Sequence, residues 1–256
     1  MIPAMSDGAA DRIIVALDHP SEAEARACVE ALQGVVGRFK VGSVLFTRAG
    51  PPLVRDLVGA GHAVFLDLKL HDTPATVAGA VAAAADLGVD LLTLHAAGGP
   101  AMLAAARAAA DEAARPPRLL AVTVLTSLDA AAWARVTGPG GQPIGEAAEA
   151  LAALAREAGV DGMVSSPREV AGLRAALGSG PLLVVPGIRP EWSASDHAGQ
   201  ARTATPAAAI GAGADYLVVG RAITAADDAR ASAVRVIEEV AAAPAPREQR
   251  GAPGVS

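Results

Sequence analysis

Eight short apolar runs, each followed by a segment of helical composition, predict an α/β protein built as a single-domain (β/α)8 TIM barrel. Eight such units in 256 residues match the usual size of this barrel. A doubly wound open sheet is the alternative, but no G-x-G-x-x-G motif follows the first run. We expect one barrel domain over residues 11–240, with flexible ends at 1–10 and in the Pro- and Gly-rich tail at 241–256.

The predicted strands are the runs richest in Val, Ile, Leu and Phe. In chain order they cover residues 12–17, 39–41, 63–68, 91–94, 119–125, 162–164, 182–185 and 216–219. Four N-cap signals predict where helices begin after strands, and the first two signals in chain order are capping boxes. These signals are Ser21 with Glu24, Ser166 with Glu169, Thr205 with Pro206, and Thr224 with Asp227. The regular alternation supports the barrel over an open sheet.

The composition argues against several classes of partner. A net charge of −6 and an isoelectric point near 5.4 make a nucleic acid or an anionic membrane an improbable partner. The single cysteine, Cys28, allows no internal disulfide and is expected to be a buried small side chain. Residues 1–10 lack a signal-peptide pattern, and no apolar run reaches the roughly 18 residues that span a bilayer. We therefore expect a soluble cytoplasmic protein, in which an anionic ligand would need a local basic pocket.

Polar or charged residues stand directly after most of the apolar runs. In chain order they are Asp18, Lys40, Asp67 with Lys69, His95, Thr126 with Ser127, Ser165, Arg189, and Gly220 with Arg221. The carboxyl ends of the strands meet at one face of a barrel, and that face carries the active site. These side chains are therefore expected to converge on one site. His95 is open to two interpretations, as a residue that supports the site or as a buried structural histidine.

The densest group of charges follows the third run. Asp67 and Lys69 are two residues apart and therefore share a face of a strand, and Asp72 follows before Thr73 and Pro74 start a helix. A structural cluster of ion pairs is one interpretation. However, Lys40 and Lys69 are the only lysines among 21 Lys and Arg residues. Lysine can give up its proton and arginine cannot, so Lys69 is a candidate proton donor.

The last two strand ends predict a phosphate site. Loops after strands seven and eight of such barrels often hold phosphate. Gly220 allows close approach, Arg221 can pair with a dianion, and Thr224 is expected to cap the next helix. The long stretch from residue 186 to residue 205 contains Arg189 and Gln200, and its length is typical of a lid or a binding loop. An ordinary variable surface loop is the alternative.

With these motifs in place, residues 12–240 closely resemble the orotidine 5'-phosphate decarboxylase family. The most specific match is to the family signature D-x-K-x-x-D-x-P-x-T, which runs here from Asp67 to Thr76. Supporting motifs are Ala16-Leu-Asp18, Phe39-Lys40-Val-Gly42, Thr123-Val-Leu-Thr126-Ser127, Pro186-Gly187-Ile188-Arg189 and Val219-Gly220-Arg221. Thr73 and Ala75 depart from the family, in which many members have Ile and Asn, and neither change removes a functional group.

The resemblance implies decarboxylation of orotidine 5'-monophosphate to uridine 5'-monophosphate in de novo pyrimidine biosynthesis. Lys69 would protonate C6 of the base within an alternating array of charges. The implied catalytic residues are Lys69, Asp67, Asp72 and Lys40. The implied substrate-binding residues are Asp18, Lys40, Asp67, Thr76, Thr126, Ser127, Arg189, Gln200, Gly220 and Arg221. The resemblance implies no metal and no cofactor, and it implies a homodimer in which Asp72 and Thr76 reach across the interface.

Three other functions are alternatives for a barrel with these residues. A Schiff-base aldolase needs a neutral amine, whereas two flanking carboxylates favour the ammonium form of Lys69. A Mg-dependent sugar-phosphate decarboxylase or synthase of the same suprafamily shares the D-x-K-x-x-D core, but Thr76, Thr126 and Ser127 match the nucleotide enzyme better. A phosphate-binding barrel without activity would be expected to lack the proton donor. The decarboxylase is therefore the function that the sequence favours.

Overall fold

Eight parallel strands close into a barrel in chain order in the computed structural model, which describes residues 8–138, 140–193 and 203–244. The strands are β1 (Ile13–Ala16), β2 (Arg38–Gly42), β3 (Ala63–Leu70), β4 (Leu91–His95), β5 (Arg118–Val122), β6 (Gly162–Val164), β7 (Leu182–Val185) and β8 (Tyr216–Val219). Each strand pairs in parallel with the next, and β8 pairs with β1 to close the barrel. The predicted fold class is thus confirmed.

Helices follow every strand and form the outer layer. They are α1 (Glu22–Ala31), α2 (Ser43–Gly59), α3 (Pro74–Asp86), α4 (Gly99–Asp111), α5 (Ala130–Thr137), α6 (Ile144–Glu157), α7 (Val170–Leu177), α8 (Pro206–Gly211), α9 (Arg221–Thr224) and α10 (Ala229–Ala241). Helix α2 is kinked at Gly50, whose φ of 65° interrupts the helical backbone. No helix in these described stretches is both long enough and apolar enough to cross a membrane.

All eight predicted strands are present, and the fifth shows the largest error at its end. Strand β5 stops at Val122, whereas the apolar run predicted a strand to residue 125. The Thr123 N–H lies 3.5 Å from the Val164 oxygen, and the chain then turns so that the Leu128 N–H donates to the Leu125 oxygen. The apolar residues beyond Val122 therefore belong to a loop. Residues 1–7 and 245–256 lie outside the described residues, and the flexible ends stay a prediction.

Two of the four predicted helix starts are confirmed. The hydroxyls of Ser21 and Thr205 accept hydrogen bonds from the backbone N–H groups of Glu24, at 3.3 Å, and Ala208, at 3.2 Å. Both side chains thus cap a helix at the predicted residue. The start at Thr73 and Pro74 is also correct in position, although the Thr73 hydroxyl contacts Thr76 Oγ1 at 2.9 Å instead of a backbone N–H.

The other two predicted starts are wrong. Helix α7 begins at Val170, because the Ser166 hydroxyl donates to the Glu169 carboxylate and residues 167–169 form a turn. Thr224 is the last residue of α9 and not a cap. The Asp228 carboxylate caps α10 instead, since it accepts a hydrogen bond from the Ala231 N–H at 2.8 Å. Of these two helices, only α10 thus has a side-chain cap, because the N-cap residue of α7, Glu169, makes no capping hydrogen bond with its side chain.

The core has two layers that follow from the alternation of side chains along each strand. One set faces the barrel interior, and the other packs against the helices. The interior set is Ile14, Ala16, Phe65, Leu91, Leu120, Val122, Val164, Val184 and Val218. Lys40 and Asp67 share the interior face with Phe65. Their charged groups therefore point into the barrel, towards its carboxyl end. Cys28 is buried in α1, as predicted, and burial raises the pKa of its thiol.

Candidate active site

A cavity of about 360 Å³ opens at the carboxyl end of the barrel. Its walls are apolar in part, with Phe65, Val122, Val164 and Val218 from the barrel interior. Most of the sequence-predicted site residues line it as well. These are Asp18, Lys40, Asp67, Lys69, Thr126, Arg189, Gly220 and Arg221. The structure therefore brings together residues that are up to about two hundred positions apart in the chain, as the barrel predicts.

Four of these residues form a line of alternating charges. Lys40 Nζ lies 2.9 Å from Asp18 Oδ1 and 3.7 Å from Asp67 Oδ2. Asp67 Oδ1 in turn lies 2.7 Å from Lys69 Nζ. Lys40 is 8% exposed, so its charge needs compensation, and the two flanking carboxylates supply it. The side chain of Lys69 is 36% exposed, which leaves its ammonium accessible from the cavity.

The backbone of Lys69 is unusual. Its φ of 53° is the only positive value among the non-glycine residues that the structure describes. The pairing of β3 with β4 shifts register between Leu66 and Leu70, so extra residues of β3 stand opposite β4. A left-handed conformation at a lysine is strained and persists only where its surroundings hold it. The register shift thus changes the direction of the Lys69 side chain at the edge of the cavity.

Thr93 holds this region together, and the sequence analysis did not identify it. Its hydroxyl donates to Asp67 Oδ1 at 3.0 Å and accepts the Lys69 N–H at 2.8 Å. The residue is fully buried in β4. A signal was present, because Thr93 is the one polar residue in the run Leu91-Leu-Thr-Leu94 and lies on the inward-facing side with Leu91.

Gly42 is a second residue whose role was missed. A Cβ atom at this position would lie 3.0 Å from Lys40 Nζ and 3.3 Å from Asp18 Oδ1. Contacts of this kind are tighter than most that real Cβ atoms make, so a larger residue would require Lys40 and Asp18 to shift by a few tenths of an ångström. The absence of a side chain at the end of β2 therefore makes room for the first two members of the array.

The opposite side of the cavity is formed by the loops after β7 and β8. The Arg189 N–H donates to the Ala204 oxygen at 2.8 Å, and the Ala204 N–H donates to the Gly187 oxygen at 3.2 Å. These bonds join the two ends of the long loop beside the cavity. Arg221 begins α9 directly after Gly220. The fourth predicted phosphate-binding residue, Gln200, lies outside the described residues.

The first part of this loop is attached to the last helix through Trp192. The guanidinium of Arg235 lies 4.0 Å from the centroid of the Trp192 ring, a cation–π distance. The indole N–H also donates to the carboxylate of Glu239. Both partners belong to α10, so the segment that carries Arg189 is held against the barrel wall.

Three predicted site residues do not line this cavity. Asp72 and Thr76 are exposed at the start of α3, and Asp72 Oδ1 accepts the Thr73 N–H at 2.6 Å. Ser127 is exposed, and only its neighbour Thr126 reaches the cavity wall. Within one chain, therefore, the geometry does not bring Asp72 to the charge array.

A second cavity of about 430 Å³ lies on the other side of the array. It shares four residues with the first cavity, namely Asp18, Lys40, Asp67 and Lys69, and adds Arg48 and Val44 to its walls. Val44 is 62% exposed, so an apolar side chain at the rim of this cavity faces solvent in a single chain. The array is thus accessible from two sides in a single chain.

His95 lies beside the array and not in either cavity wall. Burial lowers its pKa, and the nearby His71 and Lys69 lower it further, while Asp67 acts in the opposite direction. Its ring centroid is 5.2 Å from that of His71. The half-buried His95 is therefore neutral at pH 7 and adds no charge to the array. Among the described residues, no group of three or more His, Cys, Asp or Glu side chains is arranged to hold a metal ion.

Comparisons with known proteins extend over nearly the whole barrel. The model of the Orotidine 5'-phosphate decarboxylase / HUMPS family matches residues 11–236. A protein named orotidine 5'-phosphate decarboxylase from Halorhodospira halophila is 51% identical over 232 residues, which cover 91% of this chain and 97% of that protein. A protein of the same name from Anaeromyxobacter dehalogenans is 54% identical over 224 residues, 87% of this chain and 95% of that protein. The crystal structure of orotidine 5'-phosphate decarboxylase from Lactobacillus acidophilus has a TM-score of 0.80 at 36% identity, and the match covers 91% of this chain and 100% of that one.

Proposed function

The chain belongs to the orotidine 5'-phosphate decarboxylase / HUMPS family, and from this premise we propose how its residues carry out the reaction. The protein is a carboxy-lyase of pyrimidine biosynthesis that converts orotidine 5'-monophosphate to uridine 5'-monophosphate and carbon dioxide. The alternative, a Mg-dependent sugar-phosphate decarboxylase or synthase, is not favoured, since the similar proteins are named for the nucleotide enzyme. The observation that carries the proposed mechanism is the array Asp18–Lys40–Asp67–Lys69 at the cavity.

The proposed chemical step uses Lys69 without a metal or cofactor. The bond between C6 and the carboxylate breaks, carbon dioxide leaves, and the electron pair remains on C6. The ammonium of Lys69 stabilises this developing negative charge and then donates a proton to C6. The neutral amine takes a proton back from solvent. Asp67, at 2.7 Å, positions the ammonium and balances its charge, and Lys40 holds the other oxygen of the same carboxylate at 3.7 Å.

The remaining cavity residues are proposed to bind the substrate away from the reacting carbon. The apolar wall residues Phe65, Val122, Val164 and Val218 suit the flat pyrimidine ring, and Thr126 with Ser127 would face its polar edge. We assign Asp18, Lys40, Asp67 and Thr76 to the ribose hydroxyls, and Arg189, Gln200, Gly220 and Arg221 to the phosphate. Binding energy from the distant phosphate can order the loop and lower the barrier at the ring.

We further propose that the enzyme works as a cytoplasmic homodimer. In one chain Asp72 and Thr76 are exposed, and the second cavity leaves the array open beside Val44. A partner copy that covers this cavity could insert its own Asp72 and Thr76 beside Lys69. This would complete the array with a third carboxylate. The single buried Cys28 is compatible with a reducing compartment.

The mechanism is tested by following the loss of ultraviolet absorbance of orotidine 5'-monophosphate in EDTA. Turnover by the wild type should be insensitive to EDTA. Lys69→Ala should lower kcat by about 10²- to 10⁴-fold, because both the charge and the proton donor are lost. Lys69→Arg should be similarly impaired, since arginine retains the charge but does not release its proton.

A matched control is Arg156→Ala, which removes an exposed cation from α6 and should leave kcat unchanged. Loss of wild-type turnover in EDTA, with recovery on addition of Mg2+, would reject the metal-free mechanism. Full activity of Lys69→Arg would show that charge alone is needed at this position.

A further inference from the structure

We infer that Thr93 is a positioning residue for the decarboxylation, acting through Asp67 and Lys69. This inference rests on the roles proposed above for those two residues. Thr93 lies in β4, the strand next to the one that carries the array, and is fully buried. It lines neither cavity, so it does not touch the substrate. Its effect must therefore be transmitted through its hydrogen bonds.

The hydroxyl of Thr93 uses both of its hydrogen-bonding functions on the array. It accepts the backbone N–H of Lys69 at 2.8 Å and donates to Asp67 Oδ1 at 3.0 Å. The same Asp67 oxygen accepts a bond from Lys69 Nζ at 2.7 Å. One buried hydroxyl thus fixes the main chain of the proton donor and the carboxylate that orients its side chain.

The hydrogen bond from the Lys69 N–H to Thr93 matters because the backbone of Lys69 is strained. Its left-handed conformation is sparsely populated for a residue with a Cβ atom, and the strand pairing is irregular between Leu66 and Leu70. The regular β3–β4 ladder therefore does not hold Lys69, and the side chain of Thr93 supplies a bond in its place. Without that bond, Lys69 could relax towards a commoner conformation and carry its ammonium away from C6.

Loss of the Thr93 hydroxyl should lower kcat and leave KM almost unchanged. A displacement of the proton donor by about 1 Å is enough to lower a rate by about 100-fold. Thr93 hydrogen-bonds to Asp67, one of the groups proposed to hold the ribose, but the other proposed ribose and phosphate groups lie on other elements, and Asp18, for example, pairs with Lys40. Ground-state binding of the nucleotide should therefore change little.

The experiment compares Thr93→Ser with Thr93→Ala, because these two variants differ only in the hydroxyl oxygen. We expect Thr93→Ser to retain kcat within about threefold, and Thr93→Ala to lose about 10- to 100-fold with KM changed by less than about threefold. Thr93→Val, which is close to threonine in volume, should behave like Thr93→Ala. Urea unfolding of each variant establishes that the protein is folded under the assay conditions.

The matched control is Thr123→Val, which removes another buried threonine hydroxyl near the end of the next strand. That hydroxyl donates to the Val164 backbone oxygen at 3.4 Å and not to a residue of the array, so its loss should leave kcat within about twofold of wild type. Equal impairment of folded Thr93→Ser and Thr93→Ala would overturn the inference, since packing and not the hydroxyl would then matter.

Lys69→Ala, assayed in parallel, separates this inference from the mechanism on which it rests. If Lys69→Ala is inactive and Thr93→Ala has normal kcat, only the role of Thr93 is overturned. If Lys69→Ala itself turns over normally, the proposed roles of Lys69 and Asp67 are wrong and the role of Thr93 falls with them.

Discussion

At the level of single residues, Lys69 combines a predictable function with an unpredictable backbone. Its place between carboxylates, in a chain with two lysines, indicated a proton donor. Its φ of 53° did not follow from any local pattern, because lysine rarely adopts that region. A strain of about 1 to 3 kcal/mol is usual for such a residue. The contacts with Asp67 and Thr93 offset it, so the strain occurs at the residue proposed as the proton donor.

His95 is expected to make the stability of the protein sensitive to acid. Burial, His71 and Lys69 lower its pKa in the folded state, with Asp67 opposing them. As pH falls below about 6.5, the unfolded chain takes up a proton at this histidine that the folded protein does not yet bind. The free energy of unfolding therefore decreases as pH falls, and the stabilisation is fully present above that range.

We predict that His95→Gln reduces this pH dependence. Urea unfolding at about pH 7.5 and about pH 5.5 should show a smaller loss of unfolding free energy in the variant than in the wild type. The difference in unfolding free energy between the two pH values is taken within each protein. Any effect of the substitution on packing that does not depend on pH therefore cancels. An equal loss in both proteins would show that His95 does not contribute to the acid sensitivity.

At the level of secondary-structure elements, a repeated Gly-x-Asp precedes three strands on the face opposite the active site. The repeats end at Asp90, Asp161 and Asp215, directly before β4, β6 and β8, and each glycine has a positive φ. Each aspartate pairs with an arginine from another element: Arg118, Arg107 and Arg174, respectively. Arg107 and Arg174 belong to helices α4 and α7, and Arg118 begins β5, so the three pairs join neighbouring elements at the amino end of the barrel, opposite the candidate site.

We predict that Asp161→Ala lowers stability and leaves catalysis unchanged. Asp161 Oδ2 accepts bonds from Arg107 Nη1 and from the Leu119 N–H, both at 2.7 Å. Loss of these charge-assisted bonds should lower the free energy of unfolding by about 2 to 3 kcal/mol. Urea unfolding measures this loss, and kcat should stay at the wild-type value because the site lies at the other end of the barrel.

Asp111→Ala is the control for that prediction. Asp111 also pairs with Arg107, at 2.9 Å, but it is 64% exposed and lies within the same helix. Its loss should cost less than about 1 kcal/mol. Equal destabilisation by the two variants would mean that the backbone bond to Leu119 contributes nothing.

At the level of the whole molecule, the proposed homodimer predicts complementation between two inactive variants. Lys69→Ala and Asp72→Ala should each be strongly impaired on their own. In a mixed dimer, one of the two sites would receive Lys69 from one chain and Asp72 from the other, and would be intact. Random reassociation of equal amounts should therefore restore about one quarter of the wild-type activity, given symmetric two-chain assembly.

Co-expression of two differently tagged variants followed by sequential purification isolates the mixed dimer itself, which should have about half of the wild-type activity because one of its two sites is intact. Sedimentation of the wild type gives the oligomeric state independently. A mixed dimer with no activity above its parents, or full activity of Asp72→Ala alone, would contradict the contribution of Asp72 across the interface.

The sequence by itself determined the barrel and most of the candidate site. Alternation of apolar runs and helical segments is a local property, and it predicted all eight strands. Because parallel strands place their carboxyl ends together, residues such as Asp18, Lys40 and Arg221 could be assigned to one cavity before any contact was known.

Only the tertiary structure decided which groups orient those residues. Thr93 meets Asp67 from 26 positions away, and Gly42 leaves room for a pair formed by Asp18 and Lys40. The register shift in β3, the start of α7 at Val170 and the Asp228 cap of α10 likewise depend on which competing partner lies nearest in space. The spacing of apolar residues along the chain predicts whether a segment is a helix or a strand. A hydrogen bond between two strands depends instead on distances that exist only after folding.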